Sequence, residues 1–245
     1  MDKSISCKRE PIGNNIFINV SKNHTFGTDA VLLSNFASDK KIKKHCDLGA
    51  GCGIISMLLL RDNITEISDA VEISEEAVFL ARKTAAEFFE DRLTICHSDL
   101  KDLKGILPFG EYDLVTCNPP YKAEGAGIIS NTATDKAARH ETACTLEDVI
   151  YISSRLLKSS GRLCICQRPE RLADIICLMR KYNTEPKSVR FVSKRVGEEP
   201  WLVLVSGRRD GKSGMRVLPN LYVYDCNGNY CEEMMRIYGP YKEGH

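Results

Sequence analysis

The sequence predicts an α/β fold with a mostly parallel sheet covered by helices on both faces. Three observations carry that expectation. Strand-like and helix-like segments alternate from residue 44 to residue 181, the rhythm of β-α-β units. A glycine-rich run, Asp47-Leu48-Gly49-Ala50-Gly51-Cys52-Gly53, stands between a short strand and a helix, where bare backbone can approach a ligand that side chains would exclude. The last two long apolar segments, 188–193 and 201–206, follow each other without a helix between them, as in an antiparallel hairpin that closes the sheet.

The elements follow in order. After Asn23-His24, residues 28–37 read as a helix, with Ala30, Val31, Leu32 and Leu33 apolar and Thr28 or Asp29 at its start. Strand 44–48 enters the glycine loop and helix 54–61 leaves it. Strand 67–73 leads to helix 74–89, capped by Ser74, with Glu75 and Glu76 in the first turn facing the positive end of the helix dipole. Residues 92–97 and 112–117 are strands, 146–158 a helix and 161–167 a strand. Pro169, which needs no N–H partner at a helix start, opens a helix to residue 181. With the closing hairpin this makes a seven-stranded sheet. Residues 222–224 and Tyr230 flank Cys226-Asn227-Gly228-Asn229, expected as a second hairpin with Asn-Gly at its turn. Residues 1–245 read as a single domain, with an N-terminal extension over about 1–40 and a C-terminal β-hairpin extension over about 207–245.

Composition narrows the class. Hydrophobic content of 43% and charged content of 27% are those of a soluble globular chain. No apolar run is long enough for a membrane span, and Met1-Asp2-Lys3-Ser4 lacks the apolar core of a signal peptide, so a cytoplasmic location is expected. Eleven cysteines, an odd number without a secretory leader, argue against a disulfide framework. The CxxC pairs of zinc fingers are absent, and Cys164-x-Cys166 puts two thiols on one face of a strand. The expectation is therefore small buried hydrophobes and no metal. The net charge of +1 is unevenly spread: residues 158–216 hold 14 Lys/Arg against 6 Asp/Glu, a balance of +8, which leaves −7 elsewhere. Such a basic stretch suits a polyanion, the alternative being scattered solvated side chains.

Two motifs carry chemistry. Asn118-Pro119-Pro120-Tyr121 follows strand 112–117. Exocyclic and amide NH2 groups are weak nucleophiles because their lone pair is delocalised, so a catalyst must accept both N–H hydrogens and aim the lone pair. Asn118 offers a side-chain oxygen, Pro119 a carbonyl fixed by its ring, and Tyr121 an aromatic face for a planar substrate. Those three are the candidate catalytic residues. The glycine run is not the dehydrogenase fingerprint, because the third position after Gly51 is Ile54. Glu72, in Val71-Glu72-Ile73, stands about twenty residues beyond the loop, where a carboxylate can accept two hydrogen bonds from ribose hydroxyls. Ser98-Asp99 follows the third strand; Asp99 is either a nucleoside contact or an N-cap before Leu100.

Asp47-x-Gly49-x-Gly51-x-Gly53 resembles motif I of the class I methyltransferases that use S-adenosylmethionine (SAM). The resemblance implies a Rossmann-like class I methyltransferase fold and SAM as cofactor. The loop of Gly49, Gly51 and Gly53 would accommodate the methionine part, with Asp47 engaging the cationic amino group. Asp99 would meet the adenine amino group, and Asn118 would border the cofactor as well as the substrate. Thr28-Asp29, in Phe26-Gly27-Thr28-Asp29-Ala30, resembles the segment that closes over SAM in related enzymes.

Groups sharing this constellation methylate adenine N6, guanine N2 of ribosomal RNA, or glutamine N5 of release factors. The chain more closely resembles the bacterial tRNA1(Val) adenine-37 N6-methyltransferase family. That likeness runs from Phe26-Gly27-Thr28-Asp29 through the loop and clamp to Ala138-Arg139-His140-Glu141, Arg168-Pro169-Glu170-Arg171-Leu172, Glu185-Pro186-Lys187 and the tyrosine-rich tail. It implies a tRNA substrate; the oligomeric state is left open, with a monomer favoured. Arg139 and His140 would contact phosphates or the base, unless they pair with Glu141 at a helix cap. Lys194, Arg195, Arg208 and Arg209 would hold the tRNA body. The polar segment 122–141 would order on substrate. The chain departs from the pattern in its many cysteines, Cys52 of the loop included. Absence of a separate N-terminal helical domain argues against the release-factor enzymes, and the intact clamp argues against an idle SAM- or RNA-binding module.

Overall fold

The computed structural model of the protein describes residues 7–119 and 144–239. A hairpin of β1 (Lys8–Pro11) and β2 (Phe17–Val20) precedes helix α1 (Thr28–Ala37). Alternating units follow: β3 (Ile42–Leu48), α2 (Ile54–Arg61), β4 (Thr65–Glu72), α3 (Glu75–Phe88), β5 (Leu93–His97) and β6 (Tyr112–Cys117). The second described stretch holds α4 (Leu146–Leu156), β7 (Leu157–Gln167), α5 (Leu172–Lys181), β8 (Thr184–Ser193) and β9 (Pro200–Arg209). The tail adds β10 (Arg216–Val217), β11 (Leu221–Tyr222) and α6 (Glu232–Tyr238).

One sheet orders its strands β10-β8-β9-β7-β6-β3-β4-β5, with β11 also on β8. The neighbours from β5 through β7 pair in parallel, and β9 runs antiparallel to both β7 and β8. The seven expected strands are β3 to β9. Short β10 and β11 pair in parallel with β8 and cover an edge whose backbone groups would otherwise lack partners.

Local chemistry explains the boundaries. Ser74 caps α3, its Oγ accepting from the Ala77 N–H at 3.4 Å. A reciprocal box opens α4: Thr145 Oγ1 accepts from the Asp148 N–H at 3.1 Å, and Asp148 Oδ2 from the Thr145 N–H at 3.0 Å. Strand β7 begins at Leu157, four residues before the expected start. Leu157 pairs with Tyr112 and Arg162 with Leu114, so residues 158–161 bulge. Gly161 belongs there, because a Cβ would lie 2.8 Å from the Tyr112 carbonyl oxygen. Pro169 opens a 3-10 turn, Pro169–Arg171, and α5 starts after it.

The hairpin expected around Asn227-Gly228 is present in short form: Tyr224 and Tyr230 make an antiparallel bridge, and the Cys231 N–H donates to the Val223 carbonyl at 3.0 Å. Helix α6, which the sequence reading did not foresee, follows it. Met234 and Ile237, three apart, bury on one face of α6 while Cys231 Sγ accepts from the Met234 N–H at 3.4 Å. Burial at helical spacing outweighs the strand preference of the surrounding tyrosines.

Two apolar layers sandwich the sheet. On one side Ile18, Leu33, Met57 and Leu60 pack with Cys164, Cys166 and tail Met234. On the other, Leu48, Val115, Leu163 and Ile165 meet Ile150, Leu156 and Met179. Cys164 and Cys166 do share a face, as strand alternation requires. All eleven cysteines are free thiols, five of them buried. Burial pushes the Cys52 thiol up to about 12 and the Cys144 thiol to about 11, so both are protonated at neutral pH. Among the described residues no helix is long and apolar enough to cross a membrane.

Candidate active site at the carboxyl edge of the sheet

In an open parallel sheet, ligands bind outside the carboxyl ends of strands where the strand order reverses. Here the chain leaves β3 toward β4 and β5, then returns to β6 on the other side of β3. Leu48 of β3 and Cys117 of β6 are paired neighbours. The glycine loop after the first and Asn118 after the second therefore open onto one crevice. The two motifs, far apart in sequence, become adjacent because their strands do.

At Gly51 φ is +56°, and a Cβ would meet nothing within 4 Å, leaving open space over the loop. Its N–H donates to Glu72 Oε2 at 2.8 Å, while Glu72 Oε1 accepts from the Ile73 and Ser74 N–H groups at 2.9 and 2.8 Å. Three backbone donors thus fix the Glu72 carboxylate at the loop's mouth. Gly53, at φ +87°, ends the turn; a Cβ there would lie 2.9 Å from Met57 Cε.

Asp47 sits beneath the loop, 1% exposed. Its Oδ1 accepts from the Thr116 hydroxyl at 2.6 Å, and its Oδ2 is buried without a partner among the described residues. Burial pushes its carboxyl up to about 7, although the Thr116 hydrogen bond pulls the other way. The chain of contacts continues inward. His45 Nε2 lies 2.8 Å from Thr116 Oγ1, its Nδ1 lies 2.8 Å from Ser68 Oγ, and Ser68 is 2.9 Å from Ser56 Oγ. Burial lowers the His45 pKa to about 3, so the ring is neutral. Because the Thr116 hydroxyl donates to Asp47, it accepts from His45 Nε2–H. This string holds Asp47 with one oxygen engaged and the other facing an unmet demand.

The clamp is held at both ends of one amide. Asn118 Nδ2 donates to Asp29 Oδ2 at 3.1 Å, and Asn118 Oδ1 accepts from the Cys166 thiol at 3.1 Å. Asp29 Oδ1 accepts from the Ala30 N–H at 2.9 Å, in the first turn of α1. A carboxylate can only accept here, so Asp29 dictates which end of the Asn118 amide faces which way. Thr28 Oγ1 accepts from the Tyr238 hydroxyl at 3.1 Å, which ties α1 to α6. Pro119 follows directly, half-buried. Asp99 caps the 3-10 turn Leu100–Asp102, its Oδ1 accepting from the Lys101 N–H at 2.9 Å. Tyr121, Arg139, His140 and the rest of segment 122–141 lie outside the described residues. Among the described residues no cluster of His, Cys, Asp or Glu is arranged for a metal ion.

The basic residues divide. Lys194 and Arg195 follow β8, whose direction matches that of β7, so they lie at the same edge as Asn118. Arg208 pairs with Arg162, just after the bulge of β7, whereas Val203 pairs with Gln167 at its end. That separation is about 16 Å along the strand at some 3.3 Å per residue. Arg208 Nε donates to the Ser160 carbonyl at 3.3 Å, and Arg209 Nη1 to the Tyr182 carbonyl at 3.1 Å. The sequence-level grouping of these four as one surface is thus not what the sheet produces. Sequence reasoning also missed His45, Thr116, Cys166 and Tyr238. For His45 the signal was present, because strand alternation places it on the Asp47 face, whereas Thr116 reaches that face through its pairing with Asp47 across the sheet.

Comparisons with known proteins agree with this geometry. The family model described as methyltransferase small domain matches residues 20–182. A tRNA1(Val) (adenine(37)-N6)-methyltransferase of Porphyromonas gingivalis is 29% identical over 225 residues, covering 88% of this chain and 87% of that one. One of the same name from Aeromonas hydrophila is 25% identical over 218 residues, covering 88% and 89%. Among solved structures, a predicted O-methyltransferase from Agrobacterium tumefaciens superposes with a TM-score of 0.70 at 21% identity, covering 87% of this chain and 97% of that one. TrmK of M. capricolum, solved with S-adenosyl-homocysteine, gives a TM-score of 0.52 at 13% identity, covering 78% and 72%. The chain belongs to the methyltransferase small domain family.

Proposed function

We propose that the protein transfers a methyl group from S-adenosylmethionine to the exocyclic N6 of an adenine in tRNA. The observation that carries this reading is the Asn118 amide, oriented by Asp29 and Cys166 beside a glycine loop at the switch point of the sheet. The relatives named for this reaction, which span most of the chain, support the choice of amine and of RNA.

The residues present fit the cofactor. The unpartnered Asp47 Oδ2 suits an ammonium group, the space over Gly51 suits a close ligand, and Glu72 presents its carboxylate for ribose hydroxyls. SAM, when bound, supplies a methyl group activated on a sulfonium. The protein's own task is then to hold the nucleophile. The Asn118 side-chain oxygen is one acceptor and the Pro119 carbonyl the other. Together they take both N–H hydrogens of the adenine amine and draw its lone pair out of the ring's π system. Tyr121 would stack on the extruded base. No strong base is required, since an alkylated nitrogen loses its proton readily. An enzyme of tRNA with eleven free thiols fits the cytoplasm.

Incubation with SAM and bulk unmodified tRNA, followed by digestion and mass spectrometry of nucleosides, tests the reading. N6-methyladenosine is the expected product. Methyl groups on release-factor glutamine or on N2 of guanosine, with none on adenosine, would overturn it.

A further inference from the structure

The tail carries an arrangement that the chemistry above does not use. Beyond β11, the N–H groups of Val223 and Tyr224 donate to the Ser193 and Lys194 carbonyls at 3.0 and 2.9 Å, extending the sheet edge. Asp225 Oδ1 then accepts from the Asn227 and Asn229 N–H groups at 2.9 Å each, closing a turn in which Gly228 has φ +83°. The bridge from Tyr224 to Tyr230 and the run of α6 align three rings. Tyr224 and Tyr230 stack at 5.5 Å and 11°, and Tyr230 and Tyr238 at 5.5 Å and 4°. One end of this column rests on Thr28, beside the Asp29 that holds Asn118. At the other end the Arg195 guanidinium lies 5.6 Å from the Tyr224 ring centre.

Anchoring the tail does not require this column. Val223, Met234 and Ile237 are buried and supply that, whereas the three rings are only partly buried. The Arg195 side chain is 51% exposed, and its ion pair with Glu198 is long at 3.5 Å. A planar cation held over an aromatic ring, at the same edge as the clamp, has the chemistry of a stacking site for an unpaired base.

We propose that Arg195 and the Tyr224-Tyr230-Tyr238 column form a platform for RNA, on which an unpaired base flanking the target adenine stacks against the guanidinium. The inference rests on the reading that the substrate is RNA. It adds how the loop around the target is held. The base is sandwiched onto Arg195, the column stiffens Arg195 from beneath, and the strand runs from there toward Asn118. Stacking tolerates any base, so the platform contributes affinity and placement. Sequence selection is left to the pocket at the clamp.

The test uses the full chain and a set of anticodon stem-loop RNAs, each carrying 2-aminopurine or an abasic site at one loop position. Fluorescence quenching on binding reports stacking, and titration gives Kd without turnover. Wild type should quench 2-aminopurine at one flanking position, and an abasic site there should weaken binding about tenfold. Arg195→Lys keeps the charge but loses the plane; it should abolish that quenching, weaken binding by a similar factor and lose nothing more with the abasic RNA. Being an exposed substitution, it leaves the fold intact, and Tyr224→Leu provides a second arm with the same expected loss of quenching. The platform is overturned if Arg195→Lys binds and quenches as wild type does, or if no loop position is quenched. Methylation of adenosine in tRNA by a protein that fails this test would refute the platform alone; quenching without any adenosine methylation would refute the proposed reaction instead.

Discussion

Asp47 is where residue-level physics makes the clearest demand. Its carboxyl, pushed up to about 7 by burial, has a folded pKa above its ordinary 3.8. Its contribution to stability is therefore complete below about pH 3.8 and is lost as pH rises through about 7. A cation placed at Oδ2 favours the charged form and reverses that loss. Binding of an amino-acid-bearing ligand should consequently release a proton below pH 7. We predict that S-adenosyl-homocysteine binds up to about tenfold more tightly for each unit between pH 5.5 and 7, levelling off above. Asp47→Asn should weaken binding and flatten this dependence, since no proton remains to be released. Calorimetry in buffers of different ionisation heat checks both points. A wild-type affinity constant across that range would remove Asp47 from the amino-group contact.

At the scale of elements, the glycine loop shows how a turn fixes a site. Gly53→Ala places a side chain at φ +87°, with its Cβ 2.9 Å from Met57 Cε. Left-handed strain and crowding together should destabilise the protein by about 1–3 kcal/mol. A thermal melt should fall by roughly 2–4 °C for each kcal/mol; an unchanged melting temperature would mean that the loop relaxes freely. Elements with strong local codes were legible before the fold was known. Ser74 with Glu75 and Glu76 marked α3, and the boundaries of α1 matched its apolar run. The start of β7 was not legible, because the bulge depends on pairing with Tyr112 across the sheet. Nor was α6, whose cap is a cysteine thiol and whose burial partners come from distant parts of the chain. The contacts of Asp29 and Cys166 with Asn118 were equally hidden. Strand order alone brings α1 and β7 to the end of β6.

For the whole molecule, strand direction decides which charges can serve the site. The run with a local balance of +8 read as one basic surface, yet antiparallel β9 carries Arg208 and Arg209 to the edge opposite Asn118, while parallel β8 delivers Lys194 and Arg195 beside it. Paired Lys194→Ala and Arg195→Ala substitutions should weaken tRNA binding and reduce its salt dependence by one to two ionic contacts. The Arg208→Ala and Arg209→Ala pair should leave both within about twofold. Filter-binding titrations over a salt series distinguish the pairs. Equal losses would show that the tRNA wraps to the far edge.

We propose that Asn118 acts on the reacting amine rather than on the fold or the cofactor. Single-turnover methylation of tRNA by Asn118→Ala, with SAM affinity measured by titration on the same preparation, tests it most directly. Because the Asn118 oxygen matters most as the nitrogen pyramidalises, the rate should fall about a hundredfold or more while SAM affinity stays within a few fold. A single-turnover rate close to wild type would contradict the account and reduce the motif to a turn after β6.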